Sequence, residues 1–261
     1  MRILVSNDDG IFAPGIKILA EKLATEHEVY VIAPDRERSA NGHALTLNKP
    51  LRAEEVNIFD GVKFACHVNG TPADCVKLAI GAILEEMPDM VISGINRGQN
   101  MGTDIMYSGT VSAAMEGTIL GIPSIALSLA SFSDVHYETG AEFALKLANE
   151  LATKELPSKT LLNVNIPAIP ADQVKGVKIT KLGVHKYTDI FEKRTDLRGK
   201  HYYWFAGESL EYQDEEDTDI VAVKKGYISV TPIHYDLTNY EFLNDLKNWD
   251  VNIKDKIEVK K

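Results

Sequence analysis

Cysteine is close to absent. Only Cys66 and Cys75 occur in 261 residues, too few for a disulfide framework and not spaced as the C-x-x-C pair of a metal or redox motif. A basic surplus is missing as well: Lys and Arg number 28 against 38 for Asp and Glu, a net charge of -10. The chain therefore lacks the cationic surface needed to grip a long nucleic acid. No apolar run approaches the roughly 18 residues that span a bilayer, which excludes membrane insertion, and no internal repeat is present. Met1 leads straight into a strand-like run with no charged leader and apolar stretch, from which a cytoplasmic location is expected.

What is present is ordinary globular material, 44% apolar and 25% charged, in a length that suits one α/β unit with an added subdomain. The first part alternates. Arg2–Ser6 is a short apolar run, and residues 15–25 set Ile16, Leu19, Ala20, Leu23 and Ala24 on one helical face. Residues 28–33 form the next strand, ended by Pro34. Thr71, Pro72 and Asp74 supply a cap, a first-turn proline and an early acid to a second helix, with Cys75, Leu78, Ala79, Ala82 and Ile83 as its buried stripe. Residues 90–93 and 124–129 read as strands, and 108–120 and Tyr137–Leu151 as helices. Such alternation predicts an α/β fold, a mostly parallel sheet with helices on both faces.

After Ile169 the pattern changes, so a core over 1–169 and a β-rich extension over 170–261 are expected. Residues 178–182, 200–207, 221–224 and 227–231 read as strands with no helix between them. The acid-rich stretch 208–219 reads as a solvated loop, and the lysine-rich tail from Lys254 as a frayed end.

The chemistry concentrates in three loops that follow strands. Asn7-Asp8-Asp9-Gly10 follows the first, where open α/β sheets bind their ligands. Two adjacent carboxylates repel unless a cation compensates them, and hard divalent ions take carboxylate, amide and hydroxyl oxygens. Alternatively the pair only shapes a turn. Acid stands where a dinucleotide-binding oxidoreductase would carry G-x-G-x-x-G, which disfavours that class. The second loop, 34–46, offers Arg36, Arg38, Ser39, Asn41, Gly42 and His43: guanidinium groups for phosphate or surface ion pairs, a hydroxyl, and an imidazole that is either proton donor or structural. The third, 93–109, is rich in glycine and asparagine and contains Asn96, Asn100, Tyr107, Ser108 and Gly109. It opens a helix at Ser108-Gly109-Thr110 whose free N–H groups suit an anion. Each loop alone has an ordinary structural reading. Together they favour metal-assisted phosphoryl chemistry.

MRILVSNDDG at the start, Arg38-Ser39, and the block SGINRGQNMGTDIMYSGTVSAAMEGTILGIPSIALS over 93–128 closely resemble the SurE, or survival protein E, family of nucleotidases. Val230-Thr231-Pro232 with Asp236 is similar to that family's C-terminal signature. The resemblance implies a Rossmann-like three-layer sandwich with a β-rich C-terminal extension, including a C-terminal helix, used in homodimer or homotetramer assembly. It implies a phosphomonoesterase that takes nucleoside 5′-monophosphates, with 3′-monophosphates and short polyphosphate as further candidates, and one Mg²⁺ or Mn²⁺ ion per subunit. Carried over by position, Asp8, Asp9, Ser39 and Asn96 match the metal ligands, while Asn100, Ser108, Gly109 and Thr110 match the phosphate site. Asp8, Asn100 and Ser108 are accordingly the candidate catalytic residues. Gly42 and His43 join the phosphate set from the local reading of the second loop; His185 and His234 are read as structural, or as reaching a site across a subunit boundary. The rival readings are a module that senses phosphate or nucleotide without turning it over, and an assembly protein whose β-rich part is its function.

Overall fold

The computed structural model describes residues 1–133, 135–188, 190–207, 209–210 and 215–249. Along the chain the elements are β1 (Arg2–Ser6), α1 (Pro14–Leu23), β2 (Glu28–Pro34), β3 (Ala53–Glu55), β4 (Phe64–Val68), α2 (Pro72–Leu78), β5 (Met90–Arg97), α3 (Gly109–Ile119), β6 (Ser124–Ala130), α4 (Tyr137–Leu151) and β7 (Thr160–Pro167). After these come β8 (Val177–Ile179), β9 (Lys186–Tyr187), β10 (Ile190–Thr195), β11 (His201–Ala206), β12 (Ser209–Leu210), α5 (Asp219–Lys224), β13 (Ile228–His234) and α6 (Tyr240–Leu246). Nine strands make one sheet in the order β3-β4-β2-β1-β5-β6-β7-β13-β8. Strands β4 through β7 run parallel, while β3 and β13 lie antiparallel to β4 and β7.

Both faces of this sheet are covered, so its strands are nearly continuous in apolar residues. On one face Ile3, Val5, Val29 and Val31 pack with Ile16, Leu19 and Leu23 of α1 and Ala141, Ala144 and Leu145 of α4. On the other, Leu4, Ile32 and Val91 pack with Cys75 and Val76 of α2 and Ala113 of α3. The expected α/β fold with helices on both faces is therefore what forms. The two cysteines are buried and unpaired; burial pushes the Cys66 thiol up to about 11 and the Cys75 thiol well above its ordinary value, so neither is a nucleophile at neutral pH.

Several local expectations need correction. Helix α2 begins as expected, with Thr71 and Asp74 forming a reciprocal capping box, but it passes into a π-helical turn at Ala79–Ile83, where the Leu84 N–H donates to the Ala79 carbonyl. Up to the start of that turn Cys75 and Ala79 are buried as expected and Val76 joins them; the wider turn then shifts the phase of the stripe, and Ala82 is exposed. The strand expected at 221–224 is instead part of helix α5. Thr218 caps it, and the run of valines that reads as strand turns Ala222 and Val223 into the interior. Strands β4 and β7 carry no sequence expectation, yet both lie inside the sheet.

The residues beyond 169 divide. Strands β8 and β13 join the main sheet, so the sheet crosses the 169/170 boundary, while β10 and β11 form a separate hairpin whose twelve residues are all exposed. Only part of the acidic stretch 208–219 lies among the described residues, and its last member departs from the solvated-loop expectation: Asp219 is fully buried. The tail from Lys254 lies outside the described residues. No helix among the described residues is long and apolar enough to cross a membrane.

Candidate active site at the strand ends

Strand β1 has β2 on one side and β5 on the other, so the chain order reverses at its carboxyl end and a crevice opens there. The three loops singled out in the sequence all start from these strand ends, and backbone contacts lock them together. Asn7 closes the first loop on itself: its Nδ2 donates to the Gly10 carbonyl at 2.9 Å, and its Oδ1 accepts from the Gly10 N–H at 3.2 Å. Gly10 has φ +96°, and a Cβ there would sit 2.9 Å from the Arg36 carbonyl carbon, so the second loop passes directly over the first. The Arg38 N–H donates to the Asp8 carbonyl at 2.7 Å.

Asp8 points at the start of α3. Its carboxylate accepts from the Thr110 hydroxyl, and a Cβ on Gly109 would lie 2.7 Å from the Asp8 Cβ, so only glycine allows this approach. Burial raises the Asp8 pKa above its ordinary value, while the Thr110 hydroxyl and nearby amides pull it down. Burial also pushes Asp9 up to about 6, opposed by the Arg97 N–H, which donates to Asp9 Oδ2 at 2.8 Å. Glu37, which the sequence reading did not single out, adds a third negative charge that raises both. No basic side chain forms an ion pair with Asp8 or Asp9 among the described residues; Arg97 pairs with Glu37 at 3.8 Å.

Asn96 follows a register shift in β5, between Ser93 and Asn96. Its Nδ2 donates to the Gly98 carbonyl at 2.7 Å, leaving Oδ1 as its open end. Ser39 is exposed and its hydroxyl donates to Glu37 Oε1 at 2.7 Å. No group of three His, Cys, Asp or Glu side chains gathers at ligand distance among the described residues. The side chains that the three loops carry are carboxylate, amide and hydroxyl groups, and Glu37 adds negative charge to the Asp8-Asp9 pair; such oxygens suit a hard divalent cation and not a softer one.

Ser108 caps α3, its Oγ accepting from the Val111 N–H at 3.0 Å, which leaves its own proton to donate. The Thr110 hydroxyl and its backbone N–H both serve the Asp8 carboxylate, so Thr110 holds Asp8 in place. Asn100 is buried and its Nδ2 donates to Ser128 Oγ at 2.8 Å. The loop between Asn100 and Ser108 is clamped by Asp219, whose carboxylate accepts from the Gly102 N–H at 2.9 Å and the Gly183 N–H at 2.8 Å. Sequence reasoning missed Asp219 because its partners lie 117 and 36 residues away.

The second loop behaves less uniformly. Gly42 lies against the third loop, its N–H donating to the Tyr107 carbonyl at 3.1 Å. His43 instead turns its Nε2 to Glu116 Oε2 at 2.8 Å, two turns along α3 from the helix start, and Lys77 binds the other Glu116 oxygen at 2.7 Å. Arg38 pairs with Asp35 at 3.1 Å and donates to the Asn69 carbonyl at 3.0 Å, and Arg36 lies 3.8 Å from Asp35. Both arginines thus take the ion-pair alternative. His185 Nδ1 meets Asp104 Oδ2 at 2.7 Å within the same chain, and His234 pairs in register with Thr160 on the sheet.

Known proteins resemble this chain along nearly its whole length. A family model described as survival protein SurE matches residues 3–189. A protein named 5′-nucleotidase SurE from Carboxydothermus hydrogenoformans is 51% identical over 253 residues, covering 95% of this chain and 96% of its own. Another of the same name from Thermosynechococcus vestitus is 54% identical over 257 residues, covering 95% and 96%. Among solved structures, the SurE protein of Aquifex aeolicus superposes with a TM-score of 0.83 at 45% identity, covering 95% of this chain and 98% of that one.

Proposed function

This chain belongs to the survival protein SurE family and is a 5′-nucleotidase of that type, and from that premise we propose that it releases phosphate from nucleoside 5′-monophosphates with one divalent cation held by Asp8, Asp9, Ser39 and Asn96. The single observation that carries the reading is the contact between Asp8 and Gly109, which brings the carboxylate pair and the start of α3 to one point. A bound Mg²⁺ or Mn²⁺ ion supplies neutralisation of the charge on the phosphoryl oxygens.

The chain's own residues do the rest. Thr110 fixes the orientation of Asp8, and the Arg97 N–H that of Asp9. The Ser108 hydroxyl and the Gly109 amide donate to the phosphate, aided by the positive end of the α3 dipole. The Asn100 carboxamide donates its second Nδ2 proton from the facing wall, and these donors are worth most where the charge on phosphorus oxygens builds. Gly42 shapes the rim, and we place His43 there as a tether to α3. The same terminal phosphate is presented by 3′-monophosphates and short polyphosphate, which we read as alternative substrates.

We place the chemistry in residues 1–169 and assembly in 170–261, as a division of labour within one continuous sheet. The β10–β11 hairpin exposes Phe191, Tyr203, Trp204 and Phe205, a surface suited to a homodimer or homotetramer contact. A cytoplasmic location completes the reading. The test is phosphate release from AMP, GMP, 3′-AMP and tripolyphosphate with Mg²⁺ or Mn²⁺, and with a chelator. Release from AMP or GMP that the chelator abolishes supports the proposal; tight AMP binding with no release under either metal would turn it into a sensing module.

A further inference from the structure

Asn100 lies outside any strand, so its peptide groups have no ladder to join. They are held by side chains of β7. The Asn100 N–H donates to Oδ1 of Asn165 at 2.9 Å, and Nδ2 of Asn165 donates back to the Asn100 carbonyl at 2.9 Å. Nδ2 of Asn163 donates to the same carbonyl at 2.8 Å, filling its second lone pair. These partners leave no ambiguity in how the Asn165 carboxamide is turned, because a peptide N–H can only donate and a peptide carbonyl can only accept. Asn163 and Asn165 are two apart and share one face of the strand. Both are fully buried.

The arrangement is a poor way to gain stability. Oδ1 of Asn163 is buried and finds no partner among the described residues, a cost that an apolar residue at the same position would avoid. What the two carboxamides achieve is to substitute for a strand: they fix both peptide groups flanking the Asn100 Cα. Meanwhile Ser128 on β6 receives the Asn100 side chain. Backbone and side chain of this one residue are therefore set by two neighbouring strands, independently of the loop that carries it.

We propose that Asn165, assisted by Asn163, is a positioning residue for Asn100, governing turnover without touching substrate; the inference rests on the assignment of Asn100 to the phosphate made above. The experiment is a double-mutant cycle on the full chain with AMP and Mn²⁺, reading kcat, KM and Mn²⁺ affinity. Asn165→Ala lowers kcat about tenfold, leaves Mn²⁺ affinity within about twofold because Asp8 and Asp9 are untouched, and adds nothing in an Asn100→Ala background. A kcat that stays at the parent value, or a loss that multiplies with that of Asn100→Ala, overturns the proposal. Asn163→Ala, which keeps the Asn165 pair, gives a smaller kcat loss with the same dependence on Asn100. If Asn165→Ala does not fold, a neutral Asn163→Ala overturns the proposal. Full activity of Asn100→Ala alone would instead overturn the assignment of Asn100 to phosphate, a result distinct from either.

Discussion

At the strand ends, polar side chains are buried and committed: Asp8 to Thr110, Asn100 to Ser128, Asp219 to three amides. In the β10–β11 hairpin, aromatic side chains stand in the open, with Phe191 and Phe205 63% and 64% exposed and tilted against each other at 5.2 Å. Each region inverts the usual distribution of polar and apolar groups, and each inversion costs free energy in the isolated chain. Under the proposed function both departures mark work: the first would hold charge for chemistry inside one chain, and the second would offer apolar area to a second surface. The regions should then respond oppositely to substitution, the first in turnover and the second in association.

The sharpest way to break that contrast is Asp8→Asn. It keeps the shape and removes a buried charge, so phosphate release should fall on the order of a thousandfold while the melting temperature holds or rises. Near-normal turnover would remove the strand ends from the chemistry. Gly109→Ala comes next. Its methyl group meets Asp8 within 2.7 Å, so a displaced carboxylate should cost on the order of a hundredfold in kcat. A crystal structure of that variant with Asp8 unmoved would contradict the close-packing argument.

Acidity sharpens the same point. The Asp9 carboxyl titrates at about 6 in the folded chain against an ordinary 3.8, so ionising it penalises the fold. In metal-free protein that penalty is absent below about pH 4 and fully present above about pH 6, so stability contributed here falls as pH rises through that window. A cation reverses the sign by displacing the proton. Mn²⁺ affinity, measured by titration calorimetry, should rise about tenfold per pH unit below pH 6, and Asp9→Asn should flatten that slope. The smallest effect is expected at the hairpin. Replacing residues 191–205 with a short Gly-Ser turn should lower the mass seen by light scattering while kcat per chain stays within about twofold. A large loss of turnover would show that the arm reaches a neighbouring site.

Much of this was legible in sequence where the signal is local. Helix α4 has the expected bounds because its apolar period is regular, and the Thr71 cap announces α2 within four residues. The acids, amides and hydroxyls of the site were legible as residue types in loops. What could not be read is what depends on distant partners. The valines of α5 favour a strand until Thr218 and the burial of Asp219 decide otherwise. Asn163, Asn165 and Asp219 act on residues 36 to 117 positions away, and no periodicity encodes that. The place of His43 was hidden for a similar reason: Glu116 holds its Nε2 from across α3.

The antiparallel strand β13, lying between β7 and β8 in the sheet, has a further consequence for how the molecule would survive being cut. A protease that nicked the exposed hairpin tip near Arg198 would sever the backbone without separating the pieces, since the C-terminal fragment remains woven between strands of the N-terminal one. Split there, the two halves should recombine as a complemented pair.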